Sequence, residues 1–265
     1  MKHVVAAALM CLLAQAGLAQ DNPLTDEGSW PDLKVDFLGD TEPMDAAGVF
    51  TVEAPYRAHD AATVPIVIAQ PDGAAPIRKA MVIIDENPAP MAADLTFGEA
   101  MQPLSFELRV RVNQYSNVRV IAQTDAGTYM AGRFVKASGG CSAPASRDPQ
   151  MALASMGQMR LKAFDAPGAM SNQRREAQIM IRHPNYSGLQ RDQVTQLFIG
   201  AHFIDRLEVF QGDDLLFRVE GGISISENPV FRFHYTDNGA AGFRVIAHDT
   251  EGNTFEETLA KDAAS

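Results

Sequence analysis

The sequence predicts an all-β protein with two immunoglobulin-like antiparallel β-sandwich domains, joined by a flexible linker and preceded by a short helix. Three observations support this fold class. Short runs of β-forming residues recur in both halves of the chain, and turn signals such as Asp237-Asn238-Gly239 separate them. A stretch rich in Ala, Ser, Gly, Pro and Met, without a strand pattern, lies between the two halves.

The N-terminus has the pattern of a secretory signal peptide over residues 1–19. Lys2 and His3 precede an apolar run from Val4 to Leu13, and the small residues Gly17 and Ala19 follow. The apolar run is too short to span a bilayer as an anchor. We therefore expect cleavage after Ala19 and export, with a bacterial periplasm as the destination.

The first predicted domain covers residues 20–136. It opens with an amphipathic helix around residues 30–38, which places Trp30, Leu33 and Phe37 on one face. The clearest strand is 105–112, in which Phe106 and Leu108 belong to an apolar series that alternates with polar residues. The predicted strands of this domain are 49–53, 63–69, 79–84, 105–112, 117–124 and 128–135.

The linker is predicted over residues 137–158 and the second domain over 159–265. Pro144 and Pro149 interrupt the linker, which shows no strand pattern. Residues 192–198 are predicted to form either a short helix or part of a long loop. The predicted strands of the second domain are 159–163, 176–182, 202–211, 215–220, 230–235, 243–248 and 254–259.

Charge and cysteine content narrow the function. The net charge of −11 argues against nucleic acid or an anionic membrane as a partner. Of the two cysteines, Cys11 would leave with the signal peptide, so Cys141 would stand alone in an oxidising compartment. A single cysteine there is either a reactive thiol or an intermolecular link.

Cys141 lies on a segment of small residues that we call the arm, residues 138–142. Ser138, Gly139, Gly140 and Ser142 flank it, and this composition predicts a flexible segment with an exposed thiol. The sequence places no histidine or cation directly beside the thiol, so it gives little support to a self-activated nucleophile. A carrier needs no such activation, because a partner enzyme can act on the thiol after docking.

The arm and the second half of the chain together resemble a known family. Residues 134–141 resemble the C-terminal end of SoxY, a sulfur-oxidation carrier subunit whose thiol sits on a glycine-rich arm. The second half resembles SoxZ, the partner subunit, at 181–184, Gly188, Leu189, 201–204, 222–229 and 231–233. The order Y then Z in one chain is similar to the SoxYZ-like carriers associated with quinoprotein (PQQ-dependent) alcohol dehydrogenases.

The resemblance implies a non-enzymatic role in sulfur oxidation, of which thiosulfate oxidation is the family's usual form. Cys141 would hold a sulfur intermediate covalently, with periplasmic sulfur-processing or quinoprotein enzymes as partners and the Y-like and Z-like domains paired. No cofactor is implied. The family's arm ends at a free C-terminus, whereas here Ser142-Ala143-Pro144 and a further domain follow Cys141. An arm fixed at both ends swings less far than a free tail.

Two alternatives come from other functional classes. Cys141 with the linker methionines Met151, Met156 and Met159 could form a copper-binding or metallochaperone module, because soft sulfur ligands suit Cu(I). The chain could also be a non-catalytic adaptor of a quinoprotein dehydrogenase in which the thiol is dispensable. His183 and His202 are predicted to be structural, and no histidine spacing predicts a zinc site.

Overall fold

The computed structural model describes residues 22–25, 28–144, 149–164 and 174–261; the predicted signal peptide lies outside these residues. Two α-helices, α1 (Trp30–Leu38) and α2 (Pro149–Ala154), and a 3-10 turn at Glu99–Met101 accompany the strands. The strands are β1 (Met44–Asp45), β2 (Thr51–Glu53), β3 (Val64–Ala69), β4 (Lys79–Ile84), β5 (Met91–Phe97), β6 (Ser105–Val110), β7 (Ser116–Thr124), β8 (Gly127–Val135), β9 (Met159–Ala163), β10 (Arg174–Ile181), β11 (Ile204–Gln211), β12 (Asp214–Gly221), β13 (Val230–Thr236), β14 (Gly242–Asp249) and β15 (Thr254–Ala260).

The strands form two sheets that both run through the two halves of the chain. The first sheet has the order β1-β8-β7-β4-β5-β12-β11-β14-β15, and the second has the order β2-β3-β6-β13-β10-β9. All pairings between these strands are antiparallel except the short β1–β8 pair. The all-β sandwich predicted from the sequence is confirmed.

Two strand pairs join the halves. In the first sheet β5 pairs with β12, where Leu95 lies opposite Val219. In the second sheet β6 pairs with β13, where Phe106 lies opposite Phe233. The Y-like and Z-like halves therefore share both sheets, and they pair within one chain.

A single apolar core fills the space between the sheets. Phe106 from the first half packs edge-on against Phe217 from the second, with ring centroids 5.1 Å apart, and Phe217 packs in the same way against Phe233 at 5.0 Å. All three side chains are almost completely buried. Aromatic pairs add to the energy of area burial, so the boundary between the halves is a strong part of the core.

The predicted helix at residues 30–38 is confirmed as α1. Its Trp30 ring covers the guanidinium of Arg119, whose Cζ lies 4.2 Å from the ring centroid. Arg119 in turn forms a buried ion pair with Asp85, in which Nε lies 3.0 Å from both carboxylate oxygens. Among the described residues, no helix has the length and apolar character needed to cross a membrane.

The largest omission of the sequence prediction is β5. Its residues, Met91-Ala92-Ala93-Asp94-Leu95-Thr96-Phe97, include two alanines and an aspartate, which have low β propensity. The alternative of a helix at residues 192–198 was wrong, because these residues form a turn-containing loop. Helix α2 lies within the predicted linker, in which no helix was predicted.

Candidate functional site

Cys141 is buried, with 0% of its surface exposed, so the predicted exposed thiol is wrong in this conformation. The composition of the arm predicted mobility because glycine and serine carry little that can pack. The same lack of bulk allows the arm to lie closely against the protein. The arm is therefore docked, and contacts from both halves of the chain enclose its thiol.

Backbone hydrogen bonds attach the arm to the segment after β6. The amide of Gly139 donates to the carbonyl of Asn113 at 2.8 Å, and the amide of Gly140 donates to the carbonyl of Val112 at 3.0 Å. A Cβ on Gly140 would lie 2.1 Å from the carbonyl oxygen of Ala61 and 2.7 Å from that of Val112. Only glycine fits at position 140 while the arm is docked.

Side chains of the second half hold the other side of the arm. The Ser187 hydroxyl donates a hydrogen bond to the carbonyl oxygen of Cys141. The Gln190 amide donates to the carbonyl oxygen of Ala143 at 3.0 Å. Both side chains are buried. Ser187 and Gln190, which both lie in the loop after β10, fix the backbone around the thiol. We call these two residues the latch.

Arg111 connects the arm to the loop after β10. Its two terminal nitrogens donate to the carbonyl oxygens of Gly140 and Asn185, each at 3.2 Å, and the side chain is 1% exposed. No carboxylate of the described residues lies within ion-pair distance of it, and its Nε has no hydrogen-bond acceptor there. Burial lowers the pKa of Arg111, while Cys141, Glu227 and Asp60 oppose that shift.

The electrostatics keep the docked thiol protonated. Burial raises the pKa of Cys141 to about 11, and the nearby Arg111 charge only partly opposes this. The thiolate is the nucleophilic form, so the docked thiol is unreactive at neutral pH. Chemistry at Cys141 requires the arm to leave its docked position.

A second polar cluster lies behind the latch loop. The Nε2 atoms of His183 and His202 point to the same oxygen of Asp249, at 3.4 and 2.8 Å, and all three residues are buried. Asp249 also accepts hydrogen bonds from the backbone and side chain of Asn253. These bonds lower the pKa of Asp249, whereas burial lowers the pKa of His183.

The ligand-type atoms of this cluster lie within 4.8 Å of one another, which is close enough to raise the question of a metal ion. The Nδ1 of His183, however, accepts a hydrogen bond from the amide of Asn185 at 3.0 Å. A neutral ring that accepts at Nδ1 carries its proton on Nε2, so this nitrogen donates to Asp249 and has no lone pair for a metal. The arrangement fits the predicted structural role of both histidines.

The cluster supports the site through Asn185. The same residue accepts a hydrogen bond from Arg111 at its carbonyl, and its side-chain oxygen accepts one from the amide of Ile204 at 3.1 Å. A chain of hydrogen bonds thus runs from the Asp249 cluster to the carbonyl of Gly140 in the arm.

The linker methionines of the copper alternative differ in environment: Met151 is 67% exposed, whereas Met159 is in the core.

The surface beside the docked arm is a groove next to an apolar loop. Ser142, Pro144 and Leu189 contribute to a groove of about 450 Å³. The loop that follows carries the side chains of Val194, Leu197 and Phe198, which are 91%, 69% and 61% exposed. Exposed apolar groups clustered on one loop are typical of contact surfaces for other proteins.

The structure brings together residues that the sequence did not connect. Arg111 is one of the polar residues that alternate with apolar ones in the predicted strand 105–112, but β6 ends at Val110 and the Arg111 side chain is buried. Ser187 and Gln190 were not singled out at all. A serine and a glutamine in a loop carry no sequence signal for contact with a residue 46 positions away.

Two protein-family models match successive parts of the chain. The family model of the sulfur oxidation protein SoxY matches residues 34–141, so its last matched residue is Cys141. The model of the sulphur oxidation protein SoxZ matches residues 163–260. Together the two matches span more than three-quarters of the chain. A search of curated proteins found no match.

One solved structure is that of the sulfur carrier protein SoxY from Chlorobium limicola f thiosulfatophilum. It is 26% identical, covers 41% of this chain and 94% of its own, and has a TM-score of 0.33. The tandem family matches support a role as a carrier in sulfur oxidation. The chain belongs to the SoxYZ-like proteins, as a fusion of a SoxY domain and a SoxZ domain in one polypeptide.

Proposed function

We propose that this chain is a non-enzymatic periplasmic carrier that holds a sulfur-containing intermediate covalently on Cys141 while partner enzymes act on it. The observation that carries the proposal is the position of Cys141. It is the last residue of the SoxY match, and it lies on the arm where SoxY and SoxZ residues meet. An incidental cysteine would not need this glycine-rich segment with contacts to both halves.

Loading of the cargo on Cys141 is a two-electron oxidation. If the cargo is thiosulfate, a bond forms between the Cys141 Sγ and the terminal sulfur of the anion. The thiol loses its proton to solvent or to a base of the partner enzyme, and two electrons pass to that enzyme's electron acceptor. The carrier supplies only the thiol.

The docked arm implies a cycle of release and return. Burial and protonation shield the Cys141 thiol from oxidants, to which a lone cysteine in an oxidising compartment is otherwise open. Loading then requires the latch to open so that the thiol reaches a partner's active site. Release as a loop fits the chain, because residues continue on both sides of the arm.

The partners proposed are periplasmic sulfur-processing enzymes, or quinoprotein (PQQ-dependent) dehydrogenase systems. The exposed loop with Val194, Leu197 and Phe198 supports docking of a partner protein close to the arm. The loop follows Gln190 directly, so a partner bound there would contact the same segment that holds the latch. The periplasmic location rests on the predicted signal peptide.

Mass spectrometry of the protein purified from its native host tests the proposal. We expect a sulfur or sulfonate adduct on Cys141 that a reductant removes, and loss of pathway function in the Cys141→Ser variant. An unmodified thiol under all growth conditions, together with full function of Cys141→Ser, would refute the carrier role. That result would favour the adaptor alternative, in which the thiol is dispensable.

A further inference from the structure

The outer face of the second sheet carries a pocket that the carrier function does not use. It has a volume of about 270 Å³, and its lining includes three arginines, Arg109, Arg160 and Arg182. The chain as a whole has a net charge of −11, so three guanidinium groups around one pocket stand out. We call this the arginine pocket.

The strand order explains how these side chains meet. Met180 on β10 lies opposite Arg160 on β9 and opposite Val230 on β13. Continuing the β6–β13 register from the pair Leu108–Phe231 places Arg109 beside Val230. Residues paired directly across neighbouring strands share a face, so four strands contribute one row of side chains with a positive charge at each end.

The arginines of the pocket are poorly neutralised. In the described parts of the chain, the guanidinium groups of Arg160 and Arg182 form no ion pair. Arg109 forms a long ion pair with Glu107, in which the Nε lies 3.7 Å from a carboxylate oxygen, and this buried Nε has no hydrogen-bond acceptor among the described residues. A buried donor without an acceptor costs free energy that a bound acceptor would recover.

One carboxylate, Glu227, belongs to the lining. Its Oε1 lies 3.4 Å from the side-chain nitrogen of Asn228, and burial raises its pKa, while Arg111 and Arg182 act in the opposite direction. The Glu227 carboxylate therefore interacts with two cations, Arg182 of the arginine pocket and Arg111 beside Cys141. The pocket retains more cationic than anionic groups.

We propose that the arginine pocket binds a small sulfur oxyanion such as sulfate or thiosulfate. Guanidinium groups offer paired donors that match the oxygens of such anions. The amide side chains of Gln158 and Asn228 add donors, and Met180 and Val230 provide an apolar floor that strengthens the charge interactions. The choice of sulfur as the central atom rests on the proposed carrier function, whereas anion binding rests on the arginines alone.

Calorimetric titration of the full chain with sodium sulfate, and separately with thiosulfate, tests this proposal in a chloride buffer of constant ionic strength. We expect saturable binding of one anion per chain. Arg160→Gln and Arg182→Gln should each weaken binding about tenfold, the effect of one charge-assisted hydrogen bond. The matched control is Arg244→Gln, a half-exposed strand arginine of the other sheet, which should bind as the wild type does.

Three results of the titrations would overturn the proposal. The first is no saturation by either anion up to about 50 mM, a range that covers even weak specific sites. The second is equal binding by the Arg182→Gln and Arg244→Gln variants, which would show non-specific attraction. The third is binding of an oligoglutamate peptide but not of sulfate, which would favour a docking surface for an acidic segment.

The Cys141→Ser variant keeps this test separate from the carrier proposal. We expect its sulfate affinity to equal that of the wild type, because the thiol does not line the pocket. Loss of sulfate binding in this variant would place the anion at the arm and contradict the arginine pocket. If sulfate binding is unchanged in Cys141→Ser, while this variant keeps full pathway function and the wild-type thiol is never modified, the carrier function is refuted and the anion site is not.

Discussion

The Ser187 hydroxyl donates a hydrogen bond to the carbonyl oxygen of Cys141, and so connects the SoxZ domain to the cysteine at the end of the SoxY domain. This contact closes the arm over the thiol. It also explains how a segment of glycine, serine and cysteine can be ordered. The carbonyl groups of the arm find buried donors in the other domain, which offsets the entropy lost by docking.

Removing the latch should expose the thiol. In Ser187→Ala the buried carbonyl of Cys141 loses its donor, which costs about 1–2 kcal/mol and should raise the population of the open arm by about 5- to 30-fold. The rate of Cys141 labelling by a maleimide at pH 7 measures this population. Ser142→Ala is the control, because its hydroxyl bonds to Gly139 on the exposed side. Equal labelling rates in the two variants would contradict the latch.

A methyl group at position 140 should prevent docking. The Cβ of Gly140→Ala would overlap two backbone carbonyl oxygens, which cannot move as a flexible side chain can. We expect the apparent pKa of Cys141, from the pH dependence of its alkylation rate, to fall from about 11 towards the usual value of a free thiol, about 8.5.

The control for this variant is Gly252→Ala, at a distant turn with φ +83° and open space around the position. It introduces backbone strain of about 1 kcal/mol without affecting the arm. Its Cys141 pKa should stay at the wild-type value. A high pKa retained in Gly140→Ala would mean that the arm docks without the close approach seen here.

The buried thiol should make the protein less stable in alkali. The unfolded thiol ionises with a pKa of about 8.5, whereas burial raises the pKa of the native thiol to about 11. The unfolded state therefore gains stability as the pH rises through this window, and the free energy of unfolding should fall by about 2–3 kcal/mol. Urea unfolding of wild type and Cys141→Ser at pH 8 and pH 10.5 measures the difference. An identical loss in both would assign the effect to other groups.

The Asp249 cluster should make the protein sensitive to acid. Its pKa is lowered in the native state, so the stability it contributes is complete above the unfolded pKa, about 3.9, and is lost as the pH falls below that value. His183 adds to the same trend below about pH 6.5, because burial lowers its pKa and only the unfolded state takes up the proton readily.

Urea unfolding between pH 7 and pH 3 should show this dependence. Asp249→Asn should lower the stability at pH 7 by several kcal/mol, because the carboxylate accepts bonds from both histidines and from Asn253. It should also flatten the decline below pH 4. A variant with the wild-type slope in that range would show that the carboxylate is not the titrating group.

The two domains should unfold together. Phe106→Leu and Phe217→Leu truncate rings that pack on each other from opposite halves. Each should lower the free energy of unfolding by about 1–3 kcal/mol and shift the same calorimetric transition to lower temperature. The double variant should lose less than the sum of the two single losses, because the pair is in contact. Two separate transitions, each shifted by only one of the substitutions, would contradict the shared core.

The sequence alone determined the fold class, helix α1 and most strand positions, and it singled out Cys141 as the candidate attachment site. These features depend on local signals: alternation of apolar residues, turn residues, and a family pattern that ends at the cysteine. Strand β5 was not predicted, because its alanines and Asp94 weaken that alternation. Pairing with β12 on one side and β4 on the other stabilises it.

Only the tertiary structure decided the state of the thiol. Composition indicated a mobile, exposed arm, since nothing local holds glycine and serine in place. The groups that hold it, Arg111, Ser187 and Gln190, come from two distant segments, and their donors meet the arm only after the sheets of both domains have joined. Burial then sets the pKa of Cys141, because desolvation is a property of the assembled site and not of the residues beside the cysteine in sequence.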